Sequence, residues 1–206
     1  MVKKRKGSDL PKVHKPKSWQ SDLLGVLVFV VIVAVGVFVI NVAVFRSYSV
    51  TGPSMEPTFY TKDRIIVNRL PVTWAMLQGK QYVPTRGQII VFENPLYKSG
   101  EEDKFIVKRV IGFPGEHIKI QDCAISIYNN EHKNGFDPYD DFDIKPVCVS
   151  GDIDQVVDDN ALFVIGDNRD GRYSLDSRSG LGQVPYDKVV GPVGVQIYPF
   201  DKIQLY

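Results

Sequence analysis

Ser54 and Lys108 are the residues whose types and surroundings best suit catalysis. Ser54 lies in the segment GPSMEPT, residues 52–58. The glycine and prolines around it predict a rigid turn that exposes the serine hydroxyl. A serine hydroxyl becomes a nucleophile when a neighbouring base takes its proton, and a neutral lysine amine can be that base. Such a pair would transfer an acyl group.

Lys108 lies in the segment KFIVKRVI, residues 104–111, which alternates like a β-strand. A period of two places Ile106, Lys108 and Val110 on one face. Burial among apolar side chains disfavours the ammonium and lowers the lysine pKa, which gives a neutral amine near physiological pH. For this strand alone, the alternative is a lysine at a sheet edge with its ammonium in water. A serine hydroxyl beside the amine would favour the base.

A third polar group of residues, GDNRDGRYSLDSR at positions 166–178, directly follows an apolar strand. So many charged and amide groups at one strand end favour an internally paired network that fixes loop geometry. A solvent-exposed turn is the alternative. A Ser-His-Asp triad is less well framed, because His117 follows a turn and His132 lies in an irregular polar segment.

An uncharged apolar run, residues 23–45, precedes these residues and would anchor them near a membrane. As a helix it is about 34 Å long, enough to span a bilayer and too long for a cleavable signal peptide. Residues 1–22 carry seven basic and two acidic side chains, a net charge of +5, so the positive-inside rule places this tail in the cytoplasm. Residues 46–206 are then extracytoplasmic, with Ser54 at most about 30 Å from the lipid.

The outer part is predicted to be mainly β, a barrel or sandwich of short strands separated by Gly, Pro, Asn and Asp. The candidate strands are residues 46–50, 63–68, 88–93, 104–111, 117–120, 124–128, 161–165 and 188–197. Residues 129–160 are predicted to be a loop or a small inserted lobe, and residues 71–86 a second irregular segment.

Cysteine and histidine usage limits the other chemistries. Cys123 and Cys148 fall on the outer side, where a disulfide persists, but two unpaired thiols are an equal alternative. Their separation excludes a CxxC motif, and three histidines give no metal-ligand cluster. We therefore expect no metal and no organic cofactor. A basic tail can bind nucleic acid, but directly before an apolar run it favours a topology signal, so no nucleic-acid partner is expected.

Taken together, these segments resemble the type I signal peptidases, membrane-anchored serine proteases with a Ser-Lys dyad that release secreted proteins from their signal peptides. The resemblance lies in residues 52–58, in DRIIVNR at 63–69, in KRVIGFPG at 108–115 and in the 166–178 group. It extends from the anchor nearly to the C-terminus.

The resemblance implies roles for individual residues. Ser54 is the expected nucleophile and Lys108 the expected general base. Met55 is expected to pack beside the site, and Ser174, or Ser177 in its place, to hydrogen-bond the base. Arg109, Asp167, Asp176 and Arg178 are expected to hold loops through ion pairs. The supporting residues expected around the site are Met55, Arg109, Gly166, Asp167, Ser174, Asp176 and Arg178.

Two departures from the family pattern concern the surroundings of the dyad. Residues 171–173 stand where family members often have a single residue, which bears on the position of Ser174. Gly52 stands where some members have a serine that donates to the oxyanion. The expected oxyanion donors are then the Ser54 backbone N–H and another group.

The sequence thus predicts a membrane-bound serine endopeptidase that acts on signal-peptide-bearing preproteins through an acyl-enzyme, with the lipid bilayer, and an export translocon nearby, as partners. Small substrate side chains are expected at the first and third positions before the cut. The rival from another class is a non-catalytic, membrane-tethered β module that binds peptides or proteins at the cell surface. A sortase-like enzyme is a further rival, but it needs a Cys-His pair that neither cysteine provides.

Overall fold

The computed structural model of the chain describes residues 19–101, 103–140, 151–169 and 174–206. The chain divides into two compact units, residues 1–39 and residues 40–206.

The described part of the first unit is helix α1, Trp19–Val39. Within the described ranges, α1 is the one helix that is long and apolar enough to cross a membrane, and none of its residues from Asp22 to Val39 is buried. From residue 23 to residue 39, the side chains of the helix are apolar on every face, as expected for a helix whose environment is lipid.

The second unit opens with a π-helical turn, Ile40–Val44, and then contains a short helix and eleven strands. Helix α2 is Leu70–Leu77. The strands are β1 (Phe45–Ser49), β2 (Arg64–Asn68), β3 (Ile89–Glu93), β4 (Phe105–Gly112), β5 (His117–Gln121), β6 (Ala124–Tyr128), β7 (Ile153–Val156), β8 (Ala161–Ile165), β9 (Val184–Pro185), β10 (Val189–Tyr198) and β11 (Gln204–Leu205).

These strands form two antiparallel sheets. The larger has the order β1-β2-β10-β3-β4-β8-β9, with β11 beside β10, and the smaller has the order β6-β5-β7. The larger sheet curls, because the rings of Tyr48 on β1 and Phe105 on β4 meet with centroids 5.2 Å apart although three strands separate β1 from β4. The prediction of a mainly β domain after one apolar N-terminal helix is confirmed.

Three apolar clusters cover the faces of the sheets. β3 is buried on both faces, with Ile89 and Val91 in one cluster and Ile90 and Phe92 in another. A third cluster contains side chains of the small sheet, such as Ile118, with side chains of the large one. β4, the strand that carries Lys108, pairs with β3 and contributes Ile106 and Val110 to the cluster of Ile90 and Phe92, so packing holds it in place.

All eight predicted strands are present, with ends within one residue of those expected. The structure corrects the prediction of an irregular segment at residues 71–86, because residues 71–77 belong to helix α2. Pro71 occupies the first turn of α2, where its missing N–H leaves no hydrogen bond unmade, so it begins this helix rather than preventing it.

In the part of residues 129–160 that the structure describes, the predicted loop or lobe contains one strand, β7, which joins β5 in the small sheet. β7 alternates weakly because its inward positions are Ile153 and the polar Gln155. The sequence of β7 therefore lacks the alternation of apolar and polar residues by which a strand is predicted. The two-residue strands β9 and β11 are too short for any periodicity.

Candidate active site

The loop from β1 to β2, which we call the nucleophile loop (residues 51–62), carries Ser54. Its ends are closed by the Val50 N–H on the Asp63 carbonyl, at 2.8 Å, and the Lys62 N–H on the Val50 carbonyl, at 2.9 Å. Met55 and Phe59 of this loop are fully buried in the core. Ser54 therefore stands on a loop that the core holds in place.

Gly52 opens the turn before Ser54 with a φ of +85°. That left-handed conformation is costly for residues with a Cβ, which explains a glycine here. Ser54 is partly exposed beside fully buried Met55. The role expected for Met55 beside the active site stays a prediction.

Lys108 lies on β4, and its side chain is buried, with the residue 2% exposed. Its Nζ is 2.7 Å from Ser54 Oγ. The same Nζ donates to the Val107 carbonyl at 3.0 Å. The structure thus brings together the two side chains that the sequence separates by 54 positions.

Burial lowers the pKa of Lys108 from 10.5 to about 8. The negative charges of Asp176 and Asp167 oppose this shift, but burial has the larger effect. The ammonium loses its hydration when the lysine is buried, whereas the neutral amine loses little. A substantial fraction of Lys108 is therefore a neutral amine at mildly alkaline pH, in hydrogen-bonding distance of a serine hydroxyl.

The segment after β8 fastens the backbone of the nucleophile loop. The Asn168 N–H donates to the Ser54 carbonyl at 3.1 Å, and Asn168 Nδ2 donates to the Pro53 carbonyl at 3.1 Å. A Cβ built on Gly166 would clash with the Ser54 carbonyl oxygen and would lie 2.5 Å from Ser174 Oγ. Gly166 is required for this close approach.

An ion pair between Arg109 and Asp167 supports the loop from the other side of Lys108. Arg109 Nε and Nη2 donate to the two Asp167 carboxylate oxygens at 2.8 and 2.6 Å, and Arg109 Nη1 donates to the Gly87 carbonyl at 2.7 Å. Thr58 Oγ1 donates to the same carboxylate at 2.5 Å. Because Asp167 is 3% exposed, the pair is well shielded from water.

A second carboxylate, Asp176, organises the segment around Gly166. It accepts from the Gly166 N–H at 3.0 Å and forms an ion pair with Arg178, whose Nη2 is 2.7 Å from Oδ2. Burial raises the Asp176 pKa. The hydrogen bonds from Arg178, Gly166 and Ser174 and the positive charge of Arg178 lower it by more, so the net pKa is below its usual value. The carboxylate stays ionised at neutral pH.

The expected hydrogen bond from Ser174 to the base is corrected by the structure. Ser174 Oγ donates to Asp176 Oδ2 at 2.5 Å. Ser177 Oγ accepts from the Val164 N–H at 2.9 Å. Within the described residues, the hydrogen bonds of Lys108 Nζ go to Ser54 and Val107 only. The strong acceptor Asp176 lies two residues from Ser174 and accepts the hydrogen bond of its hydroxyl. Residues 171–173 lie outside the described ranges.

A cavity of about 370 Å³ opens beside the dyad. Its walls come from the end of β1 and the start of the nucleophile loop on one side and from β4 on the other. The lining residues include Tyr48, Ser49, Val50, Thr51, Phe105, Ile106, Val107 and Lys108. Its lining combines apolar and polar side chains, and the latter include Ser54 and Lys108.

Other chemistries find less support in the described ranges. No group of three or more His, Cys, Asp or Glu side chains there could hold a metal ion. Cys123 is disulfide-bonded, and Cys148 lies outside the described residues. A disulfide-bonded Cys123 is not a thiol nucleophile.

Two residues with a structural role at the site, Thr58 and Asn168, received no role from the sequence. Both lie inside the motifs that were singled out. However, Thr58 reaches an aspartate 109 positions away, and no local pattern predicts that contact. The only signal available was the density of side chains with hydrogen-bonding capacity in these segments.

The chain matches the family model described as signal peptidase, peptidase S26, over residues 23–198. It is 31% identical over 181 residues to signal peptidase I U of Bacillus subtilis strain 168, covering 87% of this chain and 89% of the relative. It is 32% identical over 212 residues to signal peptidase I of Bacillus amyloliquefaciens, covering 96% and 97%.

Among solved structures, a signal peptidase I from Enterococcus faecalis V583 matches with 26% identity and a TM-score of 0.40, over 53% of this chain and 96% of that one. The family match extends through the segments that form the dyad, both ion pairs and the cavity. The chain therefore belongs to the signal peptidase family, peptidase S26.

Proposed function

We propose that Ser54 and Lys108 are the nucleophile and general base with which this signal peptidase removes signal peptides from exported preproteins. The observation that carries the proposal is the 2.7 Å distance from Lys108 Nζ to Ser54 Oγ beside a cavity that both residues line. A buried amine with a lowered pKa, next to a serine hydroxyl, is the arrangement that nucleophilic catalysis needs.

The reaction proceeds in two halves. Neutral Lys108 takes the proton of the Ser54 hydroxyl as Oγ attacks the scissile carbonyl carbon, and the resulting ammonium then protonates the departing amine. An acyl-enzyme remains on Ser54. Lys108 next takes a proton from a water molecule, whose oxygen attacks the ester carbon. The ammonium then gives this proton to Ser54 Oγ as the C–O bond breaks, which releases the signal peptide and restores the serine hydroxyl and the neutral amine.

The oxyanion of each tetrahedral intermediate needs preorganised donors. Gly52 has no side chain to donate, so the proposed donor is the Ser54 backbone N–H with a second group. The hydrogen bond from Asn168 Nδ2 to the Pro53 carbonyl, at 3.1 Å, supports this role because it fixes the peptide plane that contains the Ser54 N–H.

The substrate is proposed to bind as an extended strand between two strand edges that line the cavity. β1 is at the edge of its sheet. β8 pairs with β4 from Arg109 onward, so the described strands leave the adjacent edge of β4, residues 105–108, without a partner on that side. Backbone groups on both edges can pair with a peptide.

Side-chain selection follows from the walls of this cavity. Its volume of about 370 Å³ is shared by the whole bound segment, so individual positions have little room. That limit supports the expected preference for small residues at the first and third positions before the cut.

The proposed location is the cell membrane, with a cytoplasmic N-terminus, a single span at residues 23–45 and the catalytic domain outside. The excess of basic residues before the span supports this orientation. The bilayer and a nearby export translocon are the corresponding proposed partners. This side of the membrane is where a signal peptide becomes accessible after export.

The test is cleavage of a labelled preprotein by the purified full chain. Ser54→Ala and Lys108→Ala are expected to abolish cleavage while circular dichroism shows a folded domain. Lys108→Arg is the sharper variant, because arginine keeps the charge and does not deprotonate. Cleavage retained by Ser54→Ala would refute the assignment of the nucleophile. If the unmodified chain bound the preprotein without cleaving it, and Ser54→Ala bound it equally well, the non-catalytic peptide-binding module would be supported.

A further inference from the structure

Helix α2 presents an unusually apolar surface to solvent. Leu70, Trp74 and Leu77 are spaced i, i+4 and i+7 and so share one face of the helix. Trp74 is 65% exposed and Leu77 is 77% exposed, and no residue of α2 is buried. These side chains, with Pro71 and Thr73, line a shallow hollow of about 390 Å³. A helix face of this kind indicates a partner.

Two hydrogen bonds tie α2 to the end of the predicted membrane span. The Arg69 N–H, at the start of the helix, donates to the Val44 carbonyl at 2.7 Å. Thr73 Oγ1 donates to the Ala43 carbonyl at 2.9 Å. Ala43 and Val44 are among the last residues of the uncharged run that ends at Phe45. Wherever that run leaves a bilayer, α2 must lie at the same level.

The charges around α2 suit an anionic surface. From Arg64 to Phe92 the sequence contains basic residues and no aspartate or glutamate. Arg69 precedes the helix and Lys80 follows it, so both ends of the apolar face are flanked by positive charge. A helix with an apolar face, a tryptophan and flanking basic residues has the composition of segments that bind at the headgroup layer.

We propose that α2 lies in the outer headgroup layer of a bilayer containing anionic lipid and is a second membrane contact of this protein, beyond the span itself. This inference rests on the proposed location of the chain. Two adjacent attachments restrict the tilt of the catalytic domain more than one attachment does. They thereby hold the cavity at a defined height above the lipid.

Tryptophan fluorescence tests this contact in the full chain, which has only two tryptophans, Trp19 and Trp74. In Trp19→Phe, Trp74 is the single reporter. The protein is reconstituted into phosphatidylcholine and phosphatidylglycerol vesicles whose acyl chains are brominated near the headgroup. We expect lipid-attached bromine to reduce Trp74 emission at least about twofold, and aqueous iodide to quench it weakly.

The matched control is a tryptophan at Phe200, which is 79% exposed and follows the Tyr198 end of β10. Tyr198 pairs with Arg64, at the opposite end of β2 from α2. In Trp19→Phe/Trp74→Phe/Phe200→Trp, iodide should quench strongly and bromine weakly. Equal bromine quenching at the two sites would overturn the assignment to α2.

Two further outcomes would also refute the proposal. Strong iodide quenching of Trp74 without bromine quenching would show that α2 faces water. Shielding from both quenchers would show that a second copy of the chain covers α2. Neither result bears on the proposed roles of Ser54 and Lys108, which are tested by the loss of cleavage in Ser54→Ala.

A cleavage assay adds a functional readout. Trp74→Ser/Leu77→Ser should cleave a soluble signal-peptide substrate in detergent as the unmodified chain does, but a membrane-bound preprotein in vesicles several-fold more slowly. Phe200→Ser should behave like the unmodified chain in both assays. Equal rates for the double variant and the unmodified chain in vesicles would contradict the proposal.

Discussion

Gly166 lies directly against the carbonyl oxygen of Ser54, so closely that no side chain fits between them. The contact joins the end of β8 to the nucleophile loop. The neighbouring Asn168 N–H then reaches the same carbonyl oxygen at 3.1 Å. The position of Ser54 therefore depends on a residue 112 positions away in sequence that has no side chain of its own.

Replacing Gly166 by alanine should displace Ser54 from Lys108. The added methyl group would clash with backbone, which cannot rotate away as a flexible side chain can. We expect cleavage to fall at least about tenfold and the protein to lose about 1–3 kcal/mol of stability from overpacking. Gly180→Ala is the control, since no atom lies within 4 Å of a Cβ built there. Equal activity of the two variants would contradict this role of Gly166.

The rate of cleavage should rise with pH through about 8. Lys108 has a pKa of about 8, and only its neutral form can take the serine proton. Below that pH the amine is protonated and the rate falls. The measurement is kcat/KM for a peptide substrate between pH 6 and 10. A rate that does not change across this range would argue against lysine as the base.

Asp103 offers a way to move this pH profile without disturbing the dyad. It is exposed, lines the cavity, and its negative charge raises the pKa of Lys108. Asp103→Asn removes that charge, so the Lys108 pKa falls and the rising limb should move to lower pH. Asp103→Glu keeps the charge and should leave the limb in place. A shift to higher pH in Asp103→Asn would contradict the electrostatic argument.

The site shows which features a sequence determines locally. The burial of Lys108 follows from the alternation along β4, because a period of two fixes which side chains share a face. The eight main strands were predicted from the same kind of local pattern. The turn at Gly52 is likewise local, because its conformation belongs to that residue.

The contacts made by Thr58 and Ser174 could not be predicted in this way. Thr58 meets Asp167 only because the sheet curls and β10 is inserted between β2 and β3, an order that depends on the whole chain. The partner of Ser174 depends on competition between Lys108 and Asp176, which three-dimensional placement decides. Helix α2 was missed because its apolar residues face solvent, whereas sequence patterns assume that they face a core.

The buried Lys108 ammonium should lower the free energy of unfolding, in addition to the catalytic role proposed for this residue. Lowering its pKa from 10.5 to about 8 corresponds to about 3 kcal/mol against folding when the amine is charged. The unfolded state binds this proton more tightly, so the lysine's contribution to stability improves as pH rises from about 8 to about 10.5. Below pH 8 both states are protonated and the full cost applies.

Lys108→Met should therefore be inactive but more stable than the unmodified chain at pH 7. Methionine is similar in length and has no charge to desolvate. The gain in unfolding free energy should shrink as the pH rises above 8, because the unmodified chain then folds with a neutral amine. Urea denaturation of the two chains at pH 7 and pH 10 measures this difference. A destabilised Lys108→Met at pH 7 would show that the ammonium is better solvated than its burial implies.

The Arg109–Asp167 pair and Thr58 should act as one unit that positions the nucleophile loop. Asp167→Asn leaves Arg109 without its carboxylate and should cost about 3–5 kcal/mol. Thr58→Val removes one hydrogen bond to that carboxylate and should cost about 1–3 kcal/mol. Because both changes remove the same contact, the double variant should lose less stability than the sum of the single losses, by at least about 0.5 kcal/mol.

Thr58→Val separates positioning from general stabilisation. At a temperature where the variant is fully folded, kcat should fall several-fold with little change in KM, since the loop moves Ser54 and not the walls of the cavity. Thr58→Ser keeps the hydroxyl that donates to Asp167 at 2.5 Å and should restore kcat. Unchanged kcat in folded Thr58→Val would mean that the nucleophile loop is held by Met55, Phe59 and Asn168 without help from the ion pair.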